Sequence, residues 1–218
     1  MIEAHTDDVV IAVNGVELQG TVSQPEGAAA RGLVIFAHGS GSSRLSSRNR
    51  AVAATLVEAG CATLLFDLLT DDEASDRRNV FDIALLAERM TGATAWSRRE
   101  SGLPGMPNVP IGYFGASTGA AAALVAETMT PERIAAVVSR GGRPDLAGDA
   151  LPRVKAPTLL IVGSRDEQVL ELNRFAQRRM QCESELKIIP GATHLFEEPG
   201  TLEQAAAAAA AWFVKHFG

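Results

Sequence analysis

Two glycines bracket a serine in Gly115-Ala116-Ser117-Thr118-Gly119, and a G-x-S-x-G string of this kind can present a hydroxyl as a nucleophile. The string follows the apolar run Ile111–Phe114 and precedes an alanine-rich stretch at 118–128, so it reads as the turn from a strand into a helix. A turn that sharp needs residues without bulk at both glycines. It lifts the serine hydroxyl above the sheet edge, at the positive end of a helix. The backbone N–H of Thr118 would then face the oxygen on which negative charge develops. A chance glycine-rich turn is the bland alternative, and the placement between strand and helix favours the nucleophile.

A serine hydroxyl is a poor nucleophile at neutral pH and needs a base within hydrogen-bond reach, with an acid to orient that base. The run Thr158–Val162 leads into Gly163-Ser164-Arg165-Asp166-Glu167, and Glu185–Ile189 leads into Pro190-Gly191-Ala192-Thr193-His194. Asp166 is the expected acid, with Glu167 as its rival and helix capping as its structural alternative. His194 is the expected base. Of the other histidines, His5 lies in the first strand, His216 in the last helical turn, and His38 ahead of a turn that it braces. The chain order Ser, Asp, His, each just past a strand, puts the three on one rim of the sheet, where open α/β folds bind ligands. The chemistry would be acyl transfer in two steps, with ester, lactone or amide cleavage, or transfer to another acceptor, all open. A binding module that keeps the architecture without activity is the non-enzyme alternative.

Two further segments follow strand ends. Ala37-His38-Gly39-Ser40-Gly41-Ser42 reads as a loop that offers the Ser40 N–H as a second donor to the oxyanion, beside that of Thr118. As a dinucleotide fingerprint it lacks the third glycine, and no G-x-x-x-x-G-K-[ST] string is present, so neither NAD nor ATP is implied. Ser139-Arg140-Gly141-Gly142-Arg143-Pro144-Asp145 puts two arginines on the same rim. Arg140 and Arg143 could bind a carboxylate or phosphate of the substrate, or they could pair with Asp145 or Asp149 and fix the loop.

The elements that must hold these residues alternate. An Asn14-Gly15 pair between Val9–Val13 and Val16–Val22 predicts an antiparallel hairpin. Short apolar strands follow at Leu33–Ala37, Ala62–Phe66, Ile111–Phe114, Ile134–Val138, Thr158–Val162 and Glu185–Ile189. Between them a period near 3.6 predicts helices at about 48–59, 79–97, 118–128, 168–180 and 201–216; the last contains an alanine run closed by Trp212, Phe213 and Phe217. The charged stretch Thr70–Arg78 reads as a solvated loop. The expected fold class is α/β, with a mostly parallel central sheet, helices on both faces and no room for a large lid.

Length and composition agree with one domain over residues 1–218. Of the 218 residues 46% are hydrophobic and 21% charged, the balance of a folded globular chain. A net charge of −6 disfavours a nucleic-acid partner, since phosphate binding needs a basic patch. Cys61 and Cys182 suggest neither a disulfide framework nor a zinc site. No apolar run approaches a membrane span, and the acidic start is unlike a secretion signal, so a cytoplasmic location is expected. The expected partner is a small-molecule ester or lactone, with no metal or organic cofactor.

At this point the chain resembles the α/β-hydrolase superfamily, specifically its dienelactone-hydrolase-like branch, over nearly its whole length. The strings GYFGASTGAAAAL, VVSRGGRPDLAG and PGATHLFEEPG are similar to those of small bacterial hydrolases that sometimes occur with a phosphoribosyltransferase domain. The resemblance implies Ser117 as nucleophile, Asp166 as orienting acid, His194 as base, and Ser40 with Thr118 as oxyanion donors. It departs from the dienelactone hydrolases proper, whose nucleophile is cysteine, so a carboxylesterase-like activity is the safer implication.

Overall fold

The computed structural model describes residues 4–99 and 108–218. Eight strands run in the chain order β1 (Ala4–Val13), β2 (Val16–Pro25), β3 (Leu33–Ala37), β4 (Ala62–Phe66), β5 (Ile111–Ala116), β6 (Ile134–Arg140), β7 (Thr158–Gly163) and β8 (Ser184–Ile189). They form one sheet in the order β1-β2-β4-β3-β5-β6-β7-β8. The β1–β2 hairpin joins β4 antiparallel, and every pairing from β4 to β8 is parallel. The carboxyl ends of β3, β5, β6, β7 and β8 therefore share one rim.

The helices are α1 (Ser47–Glu58), α2 (Asp71–Ser75), α3 (Arg77–Val80), α4 (Ile83–Ser97), α5 (Thr118–Met129), α6 (Glu167–Arg179) and α7 (Thr201–Phe217), with a 3-10 segment at Pro144–Arg153. Period-two alternation splits the strands between two cores. Leu33, Ile35 and Ala37 pack with α4 and α5 on one face, whereas Val34 and Phe36 pack with α1 and α7 on the other. The alanine run in α7 buries Ala205, Ala206, Ala209 and Ala210; residues this small let the helix lie close on the sheet while Trp212, Phe213 and Phe217 fill the space beside it.

Two expectations need correction. The hairpin begins at Ala4, not Val9: its outer end is held by polar pairs across the strands, Thr6 with Ser23 at 3.0 Å and Thr21 donating to Asp8 at 2.8 Å, which hydrophobic alternation does not reveal. The stretch Thr70–Arg78 is not a plain loop but carries α2 and the first half of α3. Thr70 and Glu73 form a reciprocal capping box, which satisfies first-turn N–H groups in a helix too short to show a period. Glu73 also pairs with the buried Arg89 of α4 at 2.6 Å, tying the short helix to the core.

Candidate active site

Ser117 sits between β5 and α5 with φ 52° and ψ −123°, a strained conformation for a residue with a side chain. It holds because its surroundings over-determine it. The Ser117 N–H donates to the Arg140 carbonyl at 3.4 Å, and its carbonyl accepts from Arg143 N–H at 3.0 Å and Ala120 N–H at 3.1 Å. Gly119 lets the turn sit against β3: a Cβ there would lie 2.2 Å from the Ala37 oxygen. Sequence reasoning asked for this bend, and the backbone supplies it.

The loops after β7 and β8 are fastened together. Ser164 N–H donates to Ile189 O at 3.0 Å, and Arg165 N–H to Ala192 O at 2.9 Å. Gly191 N–H donates to Ser164 Oγ at 2.8 Å. This brings His194 Nδ1 to 2.6 Å from Asp166 Oδ2. A carboxylate only accepts, so Nδ1 carries a proton, and in the neutral ring Nε2 keeps a free lone pair. Glu167, the rival acid, is exposed at the start of α6. Asp166 makes no side-chain cap bond, so its carboxylate serves the ring and not the helix.

Ser117 and His194 line one cavity of about 270 Å³ with Gly39, Ser40, Ser42, Ser46, Arg48, Asn49, Arg140 and Leu195. No hydrogen bond joins the serine hydroxyl to the ring; a contact of this kind commonly tightens only when substrate is bound. A second cavity of about 290 Å³ shares the Gly39, Ser40 and Ser42 wall and is lined beyond it by Leu45, Leu69, Val80 and Leu86. The two lie either side of the loop after β3. A larger concavity of about 1030 Å³ opens at the opposite rim, by the amino ends of β6 and β7, around Pro131, Lys155, Cys182 and His216. Burial pushes the Cys182 thiol up, away from the nucleophilic thiolate.

Of the two expected oxyanion donors, one already has a partner. Ser40 N–H donates to Thr118 Oγ1 at 2.9 Å, whereas Thr118 N–H lies in the first turn of α5, where no i−4 carbonyl is available. His38 braces the loop as expected: Nδ1–H donates to Gly39 O at 3.0 Å, and Nε2 accepts from Leu68 N–H at 3.1 Å. That pattern requires a neutral ring, and burial holds its pKa below the ordinary 6.5, outweighing the upward pull of the Gly39 carbonyl and Asp67.

The two arginines part company. Arg143 is gripped by Asp145 through two bonds of 2.9 and 2.8 Å and is not among the residues lining the Ser117 cavity; its fork is occupied by a carboxylate two residues away, the pairing that the loop-fixing alternative names. Arg140 lines the cavity and is only 7% exposed. Sequence reasoning missed Arg48 and Asn49, which reach the cavity from α1; the Ser46 cap on Asn49 N–H was their local signal. Among the described residues no group of three or more His, Cys, Asp or Glu could hold a metal ion, and no helix is long and apolar enough to cross a membrane.

A profile of the dienelactone hydrolase family matches residues 18–216. The chain belongs to that family. The crystal structure of a dienelactone hydrolase from Anabaena variabilis superposes with a TM-score of 0.91 at 51% identity, over 98% of each chain. Est1E from Butyrivibrio proteoclasticus has the same fold, with a TM-score of 0.79 at 18% identity over 96% of this chain and 98% of that one. Two Mycobacterium tuberculosis sequences, provisionally named phosphoribosyl transferase, are 56% identical over 210 residues, which is 96% of this chain and 46% of theirs. The chain thus spans about half the length of those relatives. Membership of the dienelactone hydrolase family, together with the esterase-type fold, supports a hydrolase.

Proposed function

We propose that this member of the dienelactone hydrolase family is a serine hydrolase that cleaves a carboxylic ester or lactone through an acyl-enzyme. Ser117 Oγ attacks the carbonyl carbon as His194 Nε2 takes its proton, and Asp166 stabilises the imidazolium that results. Negative charge on the carbonyl oxygen is met by the Thr118 N–H, and by the Ser40 N–H once the Thr118 hydroxyl turns aside. His194 then returns the proton to the leaving alcohol; in a lactone that alcohol stays attached to the acyl group. Water, deprotonated by the same ring, releases the acid and restores Ser117.

One observation carries this reading: a serine held at positive φ and a histidine locked by an aspartate face the same small cavity, each from a different strand end. The transferase named for the mycobacterial relatives we assign to the part of those proteins that this chain does not match. The test is hydrolysis of p-nitrophenyl acetate by the wild type and by Ser117→Ala, with fluorophosphonate labelling of both. The expected result is labelling of the wild type alone and a loss of turnover on the order of 10⁶ in the variant. Equal rates in the two proteins would remove Ser117 from the mechanism.

A further inference from the structure

β8 is the last strand of the sheet and pairs with β7 alone. That ladder decides which of its backbone groups are used. Thr158 N–H donates to Glu183 O at 2.9 Å and Ser164 N–H to Ile189 O at 3.0 Å, so the odd-numbered residues of β8 bond to β7. Ser184, Leu186 and Ile188 turn their N–H and C=O groups outward. Of these groups only the Ser184 carbonyl has a partner among the described residues, Gln177 Nε2 at 3.1 Å, and a carbonyl can accept a second bond. Such an edge is a template for another strand unless proline, a bulge or charge blocks it. β8 holds no proline or glycine, and its register with β7 is unbroken.

The side chains of the same strand divide by face. Glu185 and Lys187 are exposed on the α7 side, where Ile189 packs with the α7 core and Glu183 pairs with Lys215. Leu186 and Ile188 lie on the α6 side. Leu186 packs only in part against the core that holds Ala176 and Met180, and Ile188 is 37% exposed. A lone lysine on an edge strand ordinarily discourages pairing. Here the acid two positions earlier makes the strand complementary to itself when reversed. The opposite edge of the sheet, β1, differs: its Asp7 is answered by His5 of the same strand and its Asp8 by Thr21.

We infer that β8 is an interface for a second copy of this chain, which adds its own β8 antiparallel about a two-fold axis at Leu186. The outward backbone groups then bond Leu186 to its counterpart and Ser184 to Ile188. Glu185 of each copy stands opposite Lys187 of the other in a non-hydrogen-bonded pair, the type in which side chains approach more closely. On the α6 side, Leu186 and Ile188 of both copies form one apolar row. Centring the axis on Glu185 or on Lys187 would satisfy outward groups as well, but it sets like charges opposite, so charge selects the register. A two-fold contact of this kind closes at two chains. The carboxyl end of β8 leads to His194, and pairing holds that strand from both sides. The inference stands whether or not the chain is a hydrolase.

Sedimentation equilibrium over a series of protein concentrations tests this. A seam one short strand long belongs to the small end of interfaces, so a dimer with Kd on the order of 10 μM is expected. Glu185→Lys and Lys187→Glu each set like charges opposite on both sides of the axis, and each is expected to weaken self-association about tenfold or more. Mixed in equal amounts, the two variants are expected to recover the dimer, because the lysines of one then face the glutamates of the other. Both positions are exposed, and circular dichroism checks that each variant is folded. A wild type that stays a single chain at about 100 μM overturns the interface. So does a dimer that both variants form as tightly as the wild type, which would place the contact elsewhere. Weakening in both variants without recovery in the mixture overturns the register, and recovery establishes strand and register together.

Discussion

Asp166 Oδ2 lies 2.6 Å from His194 Nδ1 across a separation of 28 positions in the chain, and the pair exists only because the loops after β7 and β8 are bonded to each other. The bond fixes the tautomer that leaves Nε2 able to accept a proton. Neutralising the acid should therefore be costly without disturbing the fold. Asp166→Asn is expected to lower kcat by about 10⁴, the size of effect seen when a triad aspartate loses its charge. Glu167→Gln, at an exposed position, should stay within a factor of about two of the wild type, as surface changes usually do. Rates measured on p-nitrophenyl acetate decide between them, and the opposite ranking would transfer the orienting role to Glu167.

The same pairing of loops depends on a residue without a side chain. A Cβ at Gly163 would sit 2.3 Å from the Ala192 carbonyl oxygen, and neither backbone can yield without breaking the Arg165 to Ala192 bond. Gly163→Ala should cost roughly 1–3 kcal/mol of stability, as overpacking does, and lower kcat by more than the stability loss explains, because Asp166 and His194 are pushed apart. Denaturant unfolding and turnover on the same preparation check this. Full activity in a destabilised variant would show that the loops need not touch.

Much of this site is legible from sequence, and the reason is local. Ser117, Asp166 and His194 each lie within five residues of the end of a short strand, so the strand end that positions them is written near them. Arg48 and Asn49 lack that advantage: they belong to the first turn of α1, and nothing nearby in the chain says that this turn crosses toward β6. The Ser40 to Thr118 bond spans 78 positions and depends on a rotamer, so no pattern could announce it. In the fold, the parallel core is legible because β3, β4, β5 and β7 are buried along their whole length. The outer end of the β1–β2 hairpin and the helices α2 and α3 are not, since polar pairing and capping hold them together in place of buried periodicity.

His38 links stability to pH. Its Nε2 must be unprotonated to accept from Leu68 N–H, and burial keeps its folded pKa below 6.5; burial lowers His216 as well. The unfolded chain therefore binds these protons more readily than the folded one, and stability falls with decreasing pH. The loss begins as pH drops to about 6.5 and is complete only below the folded pKa values. Because His38 braces the loop that carries Ser40, activity should decline over the same interval. Imidazole titration by NMR, beside urea unfolding at several pH values, tests the link. A His38 pKa above 6.5, or a stability flat between neutral and mildly acidic pH, would refute it.

Arg143 provides the contrast to Arg140. Its guanidinium is held by Asp145 in a bidentate pair, with the arginine about a third exposed, and its backbone N–H, which any residue but proline retains, is the group that holds the Ser117 carbonyl. Arg143→Gln should therefore cost no more than about 1 kcal/mol, the usual ceiling for a pair open to solvent, and the cost should shrink as salt is raised. Its turnover of p-nitrophenyl acetate should match the wild type, because Arg143 does not line the Ser117 cavity. A loss of turnover much larger than the loss of stability explains would mean that the Asp145 pair opens in solution and frees the guanidinium to enter the site.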